Sequence, residues 1–286
     1  MPLAVLSVLG AVLAGCASGT GAEPVREDPR HAAAPPGPAV SVAGRTTATY
    51  RAAGPRGAAP EAALMRRVAG VLRARAAAFG LDGPVVAVRG ATVTVTASGP
   101  AADALRQIAA TGDAVFRPVL DPAAVPTALR QRYAALDCDT ADTADTPASA
   151  APRLPTVACR RGGPAGRAEK LVLGPAALDG TAVSGATAAD STAGGWAVEL
   201  RFTARGRAAL AALTAGLARR PAPANRLAFL VDGAVVSAPA VTAEDTAGTA
   251  RIGGLTPASA RNLAALVGGG PLPVGLALED VTTTSS

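Results

Sequence analysis

The sequence of 286 residues is poor in aromatic side chains and in histidine. Phenylalanine, tyrosine and tryptophan together form 2% of the chain. A base-stacking surface for nucleic acid, or an aromatic-lined sugar cleft, needs several rings in one place, so we expect neither. The single histidine, His31, lies in a stretch rich in proline and alanine. Catalysis by a histidine base and metal sites made of histidine are therefore not expected.

Recognisable catalytic motifs are also missing. The chain contains no nucleophile elbow, no phosphate-binding loop and no paired-cysteine metal motif. Ser237 has no histidine to activate it, and its position before Ala-Pro is typical of a turn residue. Asp232 precedes a glycine in a hairpin signal, which is a turn position rather than that of a catalytic acid. We predict that the protein is not an enzyme and uses no metal or cofactor.

Positive charge is present but scattered. The 27 basic and 21 acidic residues give a net charge of +6, and Lys170 is the only lysine. Binding to nucleic acid through counterion release requires basic side chains on one face, whereas the arginines here occur as separated pairs. An excess of arginine over lysine is typical of a GC-rich coding sequence. We therefore predict no nucleic-acid partner.

The N-terminus has the pattern of an export signal. A run of apolar and small residues from position 2 to position 15 ends in Leu-Ala-Gly before Cys16. About 14 helical residues rise about 21 Å, which is too short for a hydrocarbon core of roughly 30 Å. The ending resembles the bacterial lipobox, whose cysteine is lipidated, although no basic residue precedes the run. We predict a lipoprotein signal peptide over residues 1–16, acylation (palmitate) of Cys16 and a location on the extracytoplasmic face of the cell membrane. An uncleaved apolar N-terminus with an incidental cysteine is the alternative.

The remaining cysteines fit an exported protein. Removing Cys16 leaves Cys138 and Cys159, an even pair that is expected to form a disulfide outside the cytoplasm. Residues 139–157 between them are rich in Thr, Ala, Asp and Pro, which predicts an exposed loop. Its acidic residues lack the glycine and distal glutamate of a calcium loop, so no metal site is predicted. Residues 17–45 have no periodicity and predict a disordered tether.

Hydrophobic periodicity then predicts two folded blocks of an α+β protein. In residues 46–121 it indicates a strand at 46–51, a helix from Pro60 to Gly80, a hairpin of residues 85–88 and 91–97, a second helix from Pro100 and a strand at 114–120. This order is that of a ferredoxin-like unit. A stapled loop region at 122–167 separates the two blocks.

The second block begins with strands at 170–173 and 196–202. Thr203 is a natural N-cap for the helix that follows, and Asp232-Gly233 is a strong hairpin signal between strands at 227–231 and 234–237. A strand at 251–252, a helix beginning at Thr256-Pro257 and a closing strand at 272–278 complete the block. Residues 282–286 read as a polar tail.

Several segments of this block, in order, resemble the extracytoplasmic domain of SecD, the protein-export membrane factor. The residues that carry the resemblance, all in structural roles, are Gly174, Pro175, Trp196, Phe202, Thr203, Asn225, Asp232, Gly233, Ser237 and Pro239. The resemblance implies a ferredoxin-like base split into residues 46–121 and 249–281, with an α+β head at 168–248 inserted into it. No long apolar span follows Gly268, so we expect the holding function of that family without its ion-driven membrane helices.

The function expected from these features is a lipid-anchored extracytoplasmic module that binds unfolded or exported polypeptides. It would act alone or beside the Sec translocon and contact the membrane only through its lipid. An exposed sheet edge or an apolar cleft between head and base could bind varied polypeptides. The alternative is an envelope lipoprotein that binds one fixed protein partner in a structural or regulatory role.

Overall fold

The structure is a computed structural model that describes residues 44–54, 58, 60–139, 152–162, 167–190 and 195–284. The predicted signal peptide with Cys16, nearly all of the predicted tether including His31, and residues 140–151 of the predicted loop lie outside the described residues. The predictions made for those segments therefore stay predictions.

The described residues form five α-helices and thirteen strands. The helices are α1 (Ala62–Ala78), α2 (Ala102–Ile108), α3 (Thr127–Ala135), α4 (Ala204–Leu217) and α5 (Pro257–Gly268). The strands are β1 (Arg45–Ala52), β2 (Asp82–Arg89), β3 (Thr92–Ser98), β4 (Ala114–Leu120), β5 (Thr156–Arg160), β6 (Glu169–Leu173), β7 (Leu178–Asp179), β8 (Val183–Asp190), β9 (Trp196–Phe202), β10 (Leu227–Val231), β11 (Ala234–Ser237), β12 (Thr249–Leu255) and β13 (Leu276–Thr284).

The base is a split ferredoxin-like unit, as predicted. Its four strands pair antiparallel in the order β13-β1-β3-β2, and α1 and α2 cover one face. Along α1, Met65, Val68 and Leu72 recur at helical spacing and are buried against the sheet. Gly80, with a φ of 69°, follows the helix in the left-handed region that glycine adopts without a steric penalty. The α+β class is confirmed.

The head, residues 114–268, contains two further sheets. One has the order β11-β10-β4-β6-β5, with β7 also paired to β4, and it curves until β11 contacts β5. The other has the order β12-β9-β8. The main head core lies between them with α4 and α5, and its largest members include Phe116, Leu200 and Phe229. The predicted disulfide is present: Cys138 and Cys159 are bonded and link the segment after α3 to β5.

Strand pairing corrects three sequence-based assignments. The strand Ala114–Leu120 was predicted to complete the ferredoxin-like sheet, but it pairs with β10, β6 and β7 in the head. The fourth base strand is Leu276–Thr284, so residues 282–284 are not a tail but pair with residues 45–47 of β1. The strand Thr249–Leu255 was assigned to the base and instead pairs with β9. Alternation identifies a strand, but it does not identify the partner.

The region between the cysteines is also more ordered at its end than predicted. Thr156 and Val157 were placed in an exposed loop, yet both are buried in β5 beside β6. Helix α3 and strand β8 were not predicted. Both have weak periodicity, since only Leu129 is buried in α3 and β8 is rich in alanine.

Candidate functional site

The chain crosses between base and head through two adjacent segments, residues 109–113 and 269–275. Arg75, a fully buried residue of α1, binds both of them. Its guanidinium donates to the carbonyls of Ile108 at 2.8 Å, Thr111 at 2.9 Å and Gly270 at 2.7 Å, and also to that of Ala110. A single side chain therefore ties the outgoing and returning segments to the base.

The hairpin β10–β11 contacts the same crossing from the head side. Asp232 and Gly233 form its turn with positive φ values of 50° and 81°, as the sequence predicts for this dipeptide. The Asp232 carboxylate accepts hydrogen bonds from the backbone N–H of Gly112 at 3.0 Å and of Asp113 at 2.7 Å. Burial lowers the pKa of Arg75 to about 10, while the Asp232 charge opposes that shift, so the guanidinium stays protonated at neutral pH.

A polar cluster closes the curved sheet of the head. The Glu169 carboxylate accepts hydrogen bonds from Arg226 at 2.6 and 3.0 Å and lies 3.4 Å from Arg160. The hydrogen bonds from Arg226 lower the pKa of Glu169, with burial acting in the opposite direction. Arg226 also donates to the carbonyl of Ala238 at 2.8 Å, so the cluster links β6 to both ends of the β10–β11 hairpin.

The head also contains an apolar cleft of about 310 Å³. Its floor includes Phe116, Phe229 and Ile252, which come from β4, β10 and β12. The ring of Phe116 lies 4.8 Å from that of Phe229 and 5.4 Å from that of Phe202. The floor therefore joins both head sheets, and its side chains are buried.

A strap, defined as residues 239–247, runs over this cleft. The backbone N–H of Val241 donates to the carbonyl of Asn225 at 2.7 Å, and that of Asp245 donates to the hydroxyl of Thr214 at 2.8 Å. Thr214 is a buried residue of α4 whose own hydroxyl donates to the carbonyl of Leu210. Residues 242–244, between the two anchors, are exposed, so the strap is held at a few points over an apolar floor.

A second, larger cavity of about 760 Å³ is lined by both apolar and charged residues. Its walls carry Asp113, Asp179 and Arg205 beside the start of α4. Burial raises the pKa of Asp113, and the charges of Asp232 and Asp179 raise it further. An apolar segment of a polypeptide would remove water from these charged groups, which are more numerous here than the two, Asp245 and Arg251, that line the cleft, so this cavity fits such a ligand less well.

The residues that carried the sequence resemblance do not form one site. Thr203 caps α4 by accepting from the N–H of Gly206 at 3.0 Å, and Trp196 stacks under the guanidinium of Arg261 at 4.8 Å. Gly174 donates its N–H to the carbonyl of Pro118 at 2.8 Å, where a Cβ would come too close to the proline ring, and Pro175 beside it is exposed. These residues shape the head.

Other members of that set lie around the cleft. Ser237 and Pro239 line it, Phe202 contacts the ring of Phe116 beneath it, and Asn225 holds the strap. The strongest feature that sequence reasoning did not identify is Arg75. It is one of four arginines in α1, and the signal that could have found it is its spacing of three residues from the buried Leu72 and seven from the buried Val68, which places it on the covered face of the helix.

The described residues contain neither a cluster suited to a metal ion nor a membrane-spanning helix. Within them, no group of three or more His, Cys, Asp or Glu side chains is placed to hold a metal ion. Nor is any helix in this part of the chain long and apolar enough to cross a bilayer.

Part of the chain is similar to known proteins. Residues 159–274 match the family model of the SecDF P1 head subdomain. The chain is 36% identical over 162 residues to the protein translocase subunit SecD of Streptomyces coelicolor, a match that covers 55% of this chain and 28% of that protein. The chain thus corresponds to less than a third of that relative's length.

Solved structures share the fold. SecDF in its super-membrane-facing form matches with a TM-score of 0.58 and 23% identity, covering 85% of this chain and 30% of that one. A structure of SecDF, described as a membrane component that enhances protein export, matches with a TM-score of 0.54 and 23% identity, and the match covers 82% of this chain and 98% of that one. The predicted resemblance to the extracytoplasmic domain of SecD is confirmed. The family match ends at residue 274, just before the last base strand.

Proposed function

We propose that this SecD-like domain is an extracytoplasmic module that binds polypeptides during their export. The apolar cleft of the head is the observation that carries the proposal, because it combines an aromatic floor with a rim of polar and backbone groups. Its volume of about 310 Å³ is at the low end of ligand pockets. A short apolar stretch of an extended chain fits such a space, whereas a folded partner would not reach its floor.

The client class follows from the chemistry of the cleft. Unfolded chains expose the apolar side chains that folded proteins bury, and burial of each large one contributes about 1.5–3 kcal/mol. The floor residues Phe116, Phe229 and Ile252 carry no charge, and the charged residues that line the cleft, Asp245 and Arg251, come from the strap and β12, so the floor selects for apolar content and not for a particular sequence. The S. coelicolor relative is named a translocase subunit. We accordingly propose that the clients of this chain are polypeptides that emerge from the Sec translocon.

Photocrosslinking from the strap tests the binding site. A photoreactive amino acid replaces Ala243, which lines the cleft, or Ala247, an equally exposed strap residue that does not line it. The probe is reduced, carboxymethylated lactalbumin, a permanently unfolded polypeptide. We expect crosslinks from position 243 to exceed those from position 247 by at least about fivefold, and excess unlabelled probe to compete.

Filling the cleft provides the complementary test. Ala243→Trp should weaken binding of the same probe, while Ala247→Trp should leave it unchanged. Equal binding by both variants would contradict the assignment of the cleft. Capture of one folded envelope protein in stoichiometric amount, with no range of clients, would favour the alternative of a fixed partner.

We further propose that Cys16 anchors the module to the membrane through covalent lipid. The apolar run that ends in Leu-Ala-Gly-Cys supports this proposal. Cys16→Ala should shift the protein from the membrane fraction to the soluble extracytoplasmic fraction and abolish incorporation of labelled palmitate. Unchanged fractionation of this variant would contradict the anchor.

A further inference from the structure

Strand β2 is a free edge of the base sheet. It pairs only with β3, so the backbone groups on its other side have no strand partner among the described residues. Four large apolar side chains are exposed among all the described residues, and two of them lie on β2: Val85, 57% exposed, and Val88, 37% exposed. Long apolar edges promote pairing with another chain, and proteins usually protect them with charge, proline or a bulge, or cover them. On β2, Pro84 beside the bulge at Gly83 lacks a backbone donor, so pairing at this edge depends on the remaining residues of the strand.

The apolar core of the base is open along the same edge. Val86 and Val88 pair with the buried Val95 and Val93 of β3 and therefore point to the helix side of the sheet. Val86 is only partly buried, as are Phe79 and Leu81 at the end of α1. A strand added to this edge would extend the sheet and cover an apolar surface that is continuous with the core.

A bulge gives the outer face of β2 an unusual order of side chains. Gly83, with a φ of 53°, lies where the register shifts between Asp82 and Val85. Because of the shift, Asp82 pairs with Ser98, on the same face as Val85, Ala87 and Arg89, whose partners on β3 are Thr96, Thr94 and Thr92. The outer face of the edge thus presents an acid, two apolar residues and a base, in that order.

This order is self-complementary under a two-fold axis. When two copies of β2 lie antiparallel with Val86 opposite Val86, Val85 of each copy faces Ala87 of the other. The bulge then brings Asp82 of each copy opposite Arg89 of the other. Asp82 and Arg89 are exposed and form no ion pair with each other or with other described residues.

We propose that β2 is a homodimer interface, in which the base sheets of two copies join edge to edge in this register. The proposal does not depend on the client-binding function. An extended client would gain only the backbone hydrogen bonds, whereas a second copy also satisfies both charges and covers the valines. The opposite edge, β13, carries the acids Glu279 and Asp280 and no base, so the same pairing there would place like charges together.

A charge-exchange experiment tests the register. Sedimentation equilibrium of the wild-type chain should detect a reversible dimer at about 100 µM protein. Asp82→Arg and Arg89→Asp each place like charges opposite one another at two symmetric positions, and each should weaken dimerisation by about tenfold or more. An equimolar mixture of the two variants should restore association as a heterodimer, because every facing pair is again of opposite charge. The double variant should dimerise like the wild type.

The control variant changes a charge on the opposite edge of the base sheet. Asp280→Arg, a matched change on the other edge strand, should leave association unchanged. Circular dichroism and thermal unfolding establish that each variant is folded, as expected for exposed positions. A wild type that sediments as a monomer at about 200 µM, single variants that dimerise normally, or a mixture that stays monomeric would each overturn the proposal. Because these measurements contain no client, their failure is separate from failure of the crosslinking test.

Discussion

Removal of the Arg75 guanidinium is the most direct test of how head and base are joined. Arg75→Met retains much of the side-chain volume but removes the guanidinium donor from four carbonyls, those of Ile108, Ala110, Thr111 and Gly270, of which the bond to Ile108 is buried and the others are partly buried. A hydrogen bond to a charged group contributes about 1.5–3 kcal/mol, while the buried charge itself costs several kcal/mol in lost hydration. Four bonds at the lower figure, offset by that hydration, predict a net loss of about 3 kcal/mol.

Urea denaturation measures this loss. The only tryptophan, Trp196, lies in β9 and reports the head, while far-UV circular dichroism reports the whole chain. A loss of about 3 kcal/mol lowers the midpoint by about 1 M urea for a domain of this size. It would remove a fifth or more of a typical folding free energy of about 5–15 kcal/mol.

A matched control lies on the same helix. Arg73 is an exposed residue of α1, two positions away, so Arg73→Met should change the free energy of unfolding by less than about 0.5 kcal/mol. The reasoning is refuted if Arg75→Met and Arg73→Met have the same midpoint. That result would mean that the crossing segments hold their conformation through their own backbone contacts, such as the hydrogen bond from Leu272 to Thr111.

Two further predictions concern the head. The pKa of Glu169 is lower in the folded protein than in the unfolded chain, so the stability that its carboxylate contributes is complete above the unfolded pKa and is lost as pH falls through the folded pKa. Glu169→Gln should therefore flatten the acid limb of a plot of unfolding free energy against pH, and an unchanged limb would contradict the pairing with Arg226. Thr214→Val removes the acceptor for the Asp245 N–H and should speed cleavage after Glu244 by a glutamate-specific protease by about tenfold, whereas Thr214→Ser keeps the acceptor and should be cleaved like the wild type. Equal cleavage of the two Thr214 variants would show that the strap is held by other contacts.

Several local signals predicted the structure correctly because the atoms that decide them lie within a few residues. Thr203 and Thr256 cap their helices with side-chain oxygens, as their positions before the helices predict. The Asp232-Gly233 turn needs only positive φ, which those two residue types supply. The disulfide between Cys138 and Cys159 was predicted from the parity of cysteines.

Pairing over long distances was harder to predict. The strand Ala114–Leu120 has the same alternation whether it completes the base sheet or joins the head, and only its contacts with β10 and β6 decide between them. The threonines of residues 282–284 suggest a polar tail by composition, yet they pair with β1 and form the end of a base strand. In neither case do the residues of the strand itself identify its pairing partner.

The sequence alone determined the class of the protein, most of its helices and turns, and its likeness to SecD, because caps, turns and alternation depend on neighbouring residues. Only the tertiary structure decided which strands share a sheet, that Arg75 is buried between two distant segments, and that one edge of the base is self-complementary. Those properties arise from pairs of residues far apart in sequence, whose interaction energy exists only once the chain has folded.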